Sequence, residues 1–210
     1  MSISSSKSRA QHWDTVYRNS GETEVSWFEQ QPDLSLELIQ SVLPHGGSVV
    51  DVGGGASRLV DTLLRQGTFD VTVLDVSEVA LQLARARLGS AAERAHWIAG
   101  DVTAASNIGP FDVWHDRAVF HFLTDPEDRR RYATLAAQSI RLGGYAILGT
   151  FAPDGPLKCS GLEVCRYDAT GLAGELGPAF RQQAERRYQH TTPSGKLQNF
   201  CFAVFQRVSN

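Results

Sequence analysis

Apolar residues recur along this chain in two alternating rhythms. Between Asp33 and Leu43 they fall on Leu34, Leu38, Ile39, Val42 and Leu43, one stripe of a helix that Pro44 ends. Arg9–Asn19 predicts a shorter helix, with Trp13 and Tyr17 four residues apart on one face. A polar turn at Ser20–Glu22 and the aromatic segment EVSWFEQ follow it. From Ser48 onward the rhythm changes. Compact apolar runs at Ser48–Val52, Val71–Asp75, AHWIAGD, FDVWHD and GYAILGTF predict five strands. Helical patterns at Ser57–Gln66, Glu78–Leu88 and PEDRRRYATLAAQSIR fall between them. Strands that alternate with helices of about 10–15 residues imply parallel βαβ units, hence an α/β, doubly wound sheet.

The C-terminal end breaks this alternation. FRQQAERRYQHTT and LQNFCFAVFQRV flank PSGK, whose proline and glycine are turn residues. The pair predicts a hairpin, so the mostly parallel, seven-stranded sheet takes up an antiparallel C-terminal strand.

Composition changes this picture only by exclusion. At 210 residues the chain has room for one domain with a substantial core. A formal net charge of −3 gives no basic field for nucleic acid. The basic run Arg129–Arg131 lies among Asp125, Glu127 and Asp128 and reads as a solvated helix face. No apolar run approaches the roughly 18–20 residues of a membrane span, so no membrane partner is expected. The Ser-rich start, MSISSSKSRAQ, lacks the apolar stretch of a secretory signal and reads as a frayed tail. Three cysteines, Cys159, Cys165 and Cys201, form an odd set without zinc spacing, which suits reduced thiols in a cytoplasmic protein and no metal site. A soft-metal set of Cys159, Cys165 and His190 is the weaker reading.

Ligands of open α/β sheets bind beyond the carboxyl ends of the strands. Three such ends carry acids here: Asp51 before the glycine loop, Asp75 after the second strand and Asp101 after the third. Gly53 and Gly55 permit a tight turn and close backbone approach. Asp75 follows at about the twenty-residue spacing that suits a ribose diol. A dinucleotide loop would want glycine where Arg58 stands, and a phosphate-cradling loop would want a lysine nearby. An adenosine ligand without a pyrophosphate fits best.

In order, VVDVGGGAS, VTVLDVS, GDV, FDVWHDRAVFHFL and LGGYAILGTF resemble the motifs of class I S-adenosylmethionine-dependent methyltransferases. The resemblance implies that fold, with S-adenosyl-L-methionine as cofactor and S-adenosyl-L-homocysteine as product. Carried over, it implies that Gly53 and Gly55 approach the methionine part and that Asp51 helps hold its amino group. Asp75 takes the ribose hydroxyls with Val76 packed on adenine, and Asp101 meets the adenine amino group with Val102 beside it. Asp116 faces the transferring methyl. The stretch HWDTVYRNSGETEVSWFE resembles the lead-in of a subset that includes some protein-lysine methyltransferases, where it folds over the cofactor, so Tyr17, Trp27 and Phe28 wall the site. Residues 1–44 are then a helical cap, 45–151 the cofactor-binding core, and 152–210 an acceptor loop, helix and hairpin.

An amine or hydroxyl acceptor must also lose a proton. Asp116 and His121 are the catalytic candidates, with His115 placed on the opposite side from Asp116 by strand alternation. Arg117 either answers an acidic group on a substrate or pairs with Asp116. Similar lysine methyltransferases carry a second acid where His121 stands, which turns the expectation toward a small-molecule acceptor. Protein lysine and a non-catalytic cofactor-binding module are the alternatives. The long segment after the fifth strand offers Cys159, Cys165, Arg166 and Tyr167 as acceptor-pocket residues.

Overall fold

A computed structural model describes residues 5–209. Helix α1 runs Ser6–Ser20, three residues earlier than the pattern predicts. Its start is set by a capping box: the Ser5 hydroxyl accepts from the Ser8 N–H, and the Ser8 hydroxyl accepts from the Ser5 N–H. The Ser-rich stretch is therefore helical from Ser6, and its first four residues lie outside the described residues. Helix α2 (Asp33–Val42) leads to the sheet.

Strands β1 (Gly47–Val52), β2 (Phe69–Asp75), β3 (Ala95–Ala99), β4 (Phe111–Arg117) and β5 (Ile140–Phe151) alternate with helices α3 (Leu59–Gln66), α4 (Glu78–Leu88) and α5 (Pro126–Ser139). After β5 come a two-residue hairpin, β6 (Lys158–Cys159) with β7 (Leu162–Glu163), then α6 (Ala169–Leu176). Strands β8 (Phe180–Thr191) and β9 (Leu197–Arg207) close the chain. The large sheet has seven strands in the order β3-β2-β1-β4-β5-β9-β8. Neighbours from β3 through β5 are parallel, and β9 enters antiparallel to both β5 and β8, as the hairpin predicted. Strand β5 begins at Ile140 rather than Gly144. Ile140 already takes extended backbone (φ −93°, ψ 136°), which ends α5 two residues before the predicted boundary.

Two apolar layers sandwich the sheet. Val52, Trp114, Tyr132, Leu148 and Leu172 belong to the layer with α5 and α6, while Ile39, Val49, Leu63, Val113 and Ile147 belong to the layer with α2 and α3. Side chains alternate across β4, so Trp114 and Asp116 face one layer and Val113 and His115 the other. The chain builds outward through β2 and β3, then returns to the other side of β1. Val52 pairs with Asp116 there, so the loops leaving β1 and β4 lie side by side at the sheet's switch point. A third cluster of Tyr17, Val25, Ala56 and Ala80, with Trp27 and Phe28 against it, packs the N-terminal segment onto this end of the sheet.

Candidate active site

The carboxyl ends of β1, β2, β3 and β4 open into a cleft of about 870 Å³, solvent at its mouth included. Its lining brings together Gly53, Asp75, Val76, Asp101 and Val102 with Tyr17 and Trp27. Positive φ angles of 66° at Gly53 and 38° at Gly55 bend the backbone after β1 into conformations that L side chains rarely adopt. A Cβ on Gly53 would come within 2.0 Å of the Val119 side chain, and one on Gly55 within 2.7 Å of Asp75 Oδ2. The loop therefore has to be bare.

Each acid at a strand end is oriented by local hydrogen bonds. Asp75 Oδ1 accepts from the Ser77 N–H at 2.7 Å. Burial pushes its carboxyl up to about 7, with Asp51 and Asp14 adding repulsion against the pull of the Ser77 and Gly55 amides. Asp101 Oδ1 accepts from both the N–H and the hydroxyl of Thr103, and Oδ2 pairs with Arg9 at 2.9 Å. Burial alone would raise Asp101, but Thr103 and Arg9 outweigh it and hold the carboxyl below its ordinary value. A second, smaller cavity shares Tyr17, Gly53, Trp27 and Arg117 with the cleft and continues toward Asp51, Arg58 and His115.

Residues 49–144 match a family model described as a methyltransferase domain. This stretch is similar to a methyltransferase domain, and the seven-stranded sheet with its antiparallel β9 is the class I methyltransferase fold. No curated protein sequence matches it. Among solved structures, N-methyltransferase NodS from Bradyrhizobium japonicum WM9, in complex with S-adenosyl-L-homocysteine, is 16% identical with a TM-score of 0.70, over 93% of this chain and 98% of that one. The Burkholderia thailandensis 1,6-didemethyltoxoflavin-N1-methyltransferase is 18% identical with a TM-score of 0.72, over 100% and 93%. A structure solved for the conversion of a disulfide bond into a thioacetal group during echinomycin biosynthesis is 19% identical with a TM-score of 0.79, over 96% and 93%.

The residues present fit such a cofactor. Asp51 is 2% exposed, and its Oδ2 has no partner among the described residues, which leaves a buried acceptor for a donor to meet. Asp75 and Asp101 present carboxylates to the cleft between the apolar walls Leu74, Val76 and Val102.

At the methyl end two expectations are corrected. Asp116 is fully buried on the α5 side of β4 and does not line the cleft. Its oxygens accept from the Val119 and Phe120 amides and from the Tyr132 hydroxyl at 2.6 Å, so it anchors the turn after β4. Burial pushes its carboxyl up to about 6. His121 is also fully buried. Its Nδ1 accepts from the Phe151 N–H at 3.2 Å, and burial lowers it to about 3, so it stays neutral and away from the cleft.

Arg117 pairs with Glu29 at 3.0 Å rather than with Asp116, and donates to the Trp27 carbonyl at 2.7 Å. Glu29 also accepts from the Tyr188 hydroxyl and faces His190, so residues of two strands, β4 and β8, tie down the segment that carries Trp27. Burial raises Glu29, but His190, Arg117 and Tyr188 more than offset it.

Of the proposed acceptor-pocket residues only Cys159 reaches the cleft. Arg166 donates to the Pro153 and Gly155 carbonyls, and Tyr167 packs on Phe120. Among the described residues no group of three His, Cys, Asp or Glu side chains could hold a metal, so Cys159, Cys165 and His190 form no such set.

The residue that sequence reasoning missed is Arg9. Its partners Asp101, Thr103 and Asp128 lie more than ninety positions away, and no local signal marks it. Ala118, at the cleft with φ 71°, is likewise invisible in the sequence, because only the turn after β4 imposes its left-handed backbone.

Proposed function

We propose that this methyltransferase moves the methyl group of S-adenosylmethionine to a small, largely apolar acceptor without a protein base. The observation that carries this reading is the lining of the cleft beyond the acids: Trp13, Trp27, Phe122, Leu123, Val119 and Cys159, with no histidine among them. Trp13 meets Trp27 edge-on at 5.5 Å and Phe122 at 4.9 Å, so the entrance is an aromatic rim suited to a small flat or apolar molecule. The similarity to a methyltransferase named for 1,6-didemethyltoxoflavin points the same way.

When bound, the cofactor supplies a sulfonium-activated methyl with its own leaving group. The chain holds the rest of the geometry. Asp75 would accept from the ribose hydroxyls and Asp101 from the adenine amino group, while Gly53 would let the cofactor approach the backbone. Trp13, Tyr17 and Trp27 exclude water from the cleft, and Arg117 pins the Trp27 carbonyl so that this wall keeps its place. With Asp116 and His121 both off the cleft, the acceptor atom attacks with a lone pair it already carries, and any proton it then loses leaves through the cleft's open mouth.

Labelled methyl donor, incubated with the protein and a cell lysate, tests the acceptor class. Label in the low-mass fraction is expected. Label confined to protein would overturn the small-molecule assignment, and calorimetry showing no binding of S-adenosylhomocysteine would overturn the cofactor.

A further inference from the structure

Behind the glycine loop, Asp51 heads a line of three buried side chains whose other two members the cofactor chemistry above leaves unused. His115 Nδ1 lies 2.7 Å from Asp51 Oδ1, and His115 Nε2 lies 3.0 Å from Ser35 Oγ. All three residues are 2% exposed, and all three line the second cavity. They come from different elements: Asp51 from β1, His115 from the adjacent β4 and Ser35 from the first turn of α2. Asp51 and His115 are direct cross-strand neighbours in register. The arrangement is therefore built into the sheet rather than into a loop.

A carboxylate oxygen only accepts, so the proton of the Asp51–His115 bond is on Nδ1. The Ser35 hydroxyl engages the far nitrogen and keeps the ring in the plane that aims Nδ1 at Oδ1. This leaves Asp51 asymmetric. Oδ1 is satisfied from behind, and Oδ2 is the orphan. Oδ2 lies against Gly54, where a Cβ would come within 2.6 Å of it. A side chain at Gly54 would clash with that oxygen, and both residues border the cavity that continues from the adenosine cleft.

We propose that His115, held by Ser35, is the positioning residue that turns Asp51 Oδ2 toward the α-ammonium of the cofactor's amino-acid half. The proposal rests on the cofactor reading above. His115 does not touch the cofactor; it acts through Asp51. Without its N–H, Asp51 loses its only side-chain donor among the described residues and can rotate so that neither oxygen is aimed. A charge-assisted bond with a misplaced acceptor is weakened by roughly tenfold or more in affinity. The adenosine half, held by Asp75 at the end of β2 and by Asp101 beyond β3, does not use the His115–Asp51 bond and is left unaffected.

Two ligands separate these halves. S-adenosylhomocysteine carries the amino-acid group, and 5′-methylthioadenosine lacks it. Binding of both is measured by calorimetry to the full chain and to His115→Gln, His115→Asn and Ser35→Ala. An Asn amide nitrogen can replace Nδ1, whereas a Gln amide nitrogen reaches only the Nε2 position.

His115→Gln is expected to weaken S-adenosylhomocysteine about tenfold or more, with methylthioadenosine unchanged. His115→Asn is expected to restore most of that loss, and Ser35→Ala to fall between the two. Parallel weakening of both ligands would reduce His115 to a packing role and overturn the proposal, as would wild-type affinity in His115→Gln. Should His115→Gln not fold, Ser35→Ala alone decides: an unchanged ratio of the two affinities overturns it. Failure of the wild-type protein to bind either ligand is a different result, and it would remove the cofactor reading itself.

Discussion

Asp75 sits in an electrostatic conflict at the cleft. Its carboxyl is pushed up to about 7, chiefly by burial and then by Asp51 and Asp14. A ribose diol donates to the ionised form, so affinity for S-adenosylhomocysteine should rise with pH through about 7. Roughly tenfold is expected between pH 6 and pH 8 if only the carboxylate binds, since ionisation moves from about a tenth to about nine-tenths. Calorimetry at the two pH values checks this, and Asp75→Asn should bind weakly and show a flat profile.

The same shift sets a stability trend of opposite sign. The folded value lies above the unfolded value of 3.8, so the folded state binds more protons between about pH 4 and pH 7. Asp75 therefore makes the ligand-free protein progressively less stable as pH rises through that window. Asp75→Asn should melt higher than wild type at pH 8, with the gap closing at pH 5. An acid kept at the site against its own stability cost is what a binding role requires. Asp75 and Asp101 were legible from their spacing after the glycine loop. Asp116 was misassigned because position at a strand end says nothing about which side of β4 a side chain faces, and strand parity sends it to α5.

At the scale of elements, the tie between α5 and β4 turns on one hydroxyl. Tyr132 donates to Asp116 Oδ2 at 2.6 Å and accepts from the Trp114 indole at 2.8 Å, all fully buried. Tyr132→Phe leaves a buried N–H and a buried carboxylate oxygen short of partners, which costs about 1–3 kcal/mol for each such group. Urea denaturation should show this loss. Cofactor affinity should change little, because none of the three groups lines the cleft. The elements themselves were readable because β-strand runs and 3.6-residue helical stripes are local signals. Their partners were not. The pairing of Arg9 with Asp101 and of Glu29 with Arg117, Tyr188 and His190 joins residues far apart in sequence, and only the switch-point topology brings them together.

Over the whole molecule, these long-range pairs divide the structure into a rigid sheet and a strap that crosses its carboxyl edge. The strap is α1 with the segment through Glu29. It is held at one end by Arg9 on Asp101 and Asp128, in the middle by Asp14 on Ser77, and at the other end by Glu29 on Arg117. Trp13, Tyr17 and Trp27 reach from it into the cleft, so a ligand there is covered by strap and sheet together. Ligand at a hundred times its dissociation constant should stabilise the fold by about 2.7 kcal/mol. For a chain of this size that corresponds to a melting rise of roughly 5–10 °C. Where the protection appears is the sharper test. Hydrogen exchange should slow most in α1 and the segment around Trp27, whose closed state the ligand joins to the sheet, and hardly at all in the β8–β9 hairpin, which does not line the cleft. Arg9→Ala removes one end of the strap, so exchange in α1 should quicken in the free protein while β1 and β4 keep their protection. Uniform quickening across the sheet would instead make the strap part of the global folding unit, and the cleft would then open only when the whole domain does.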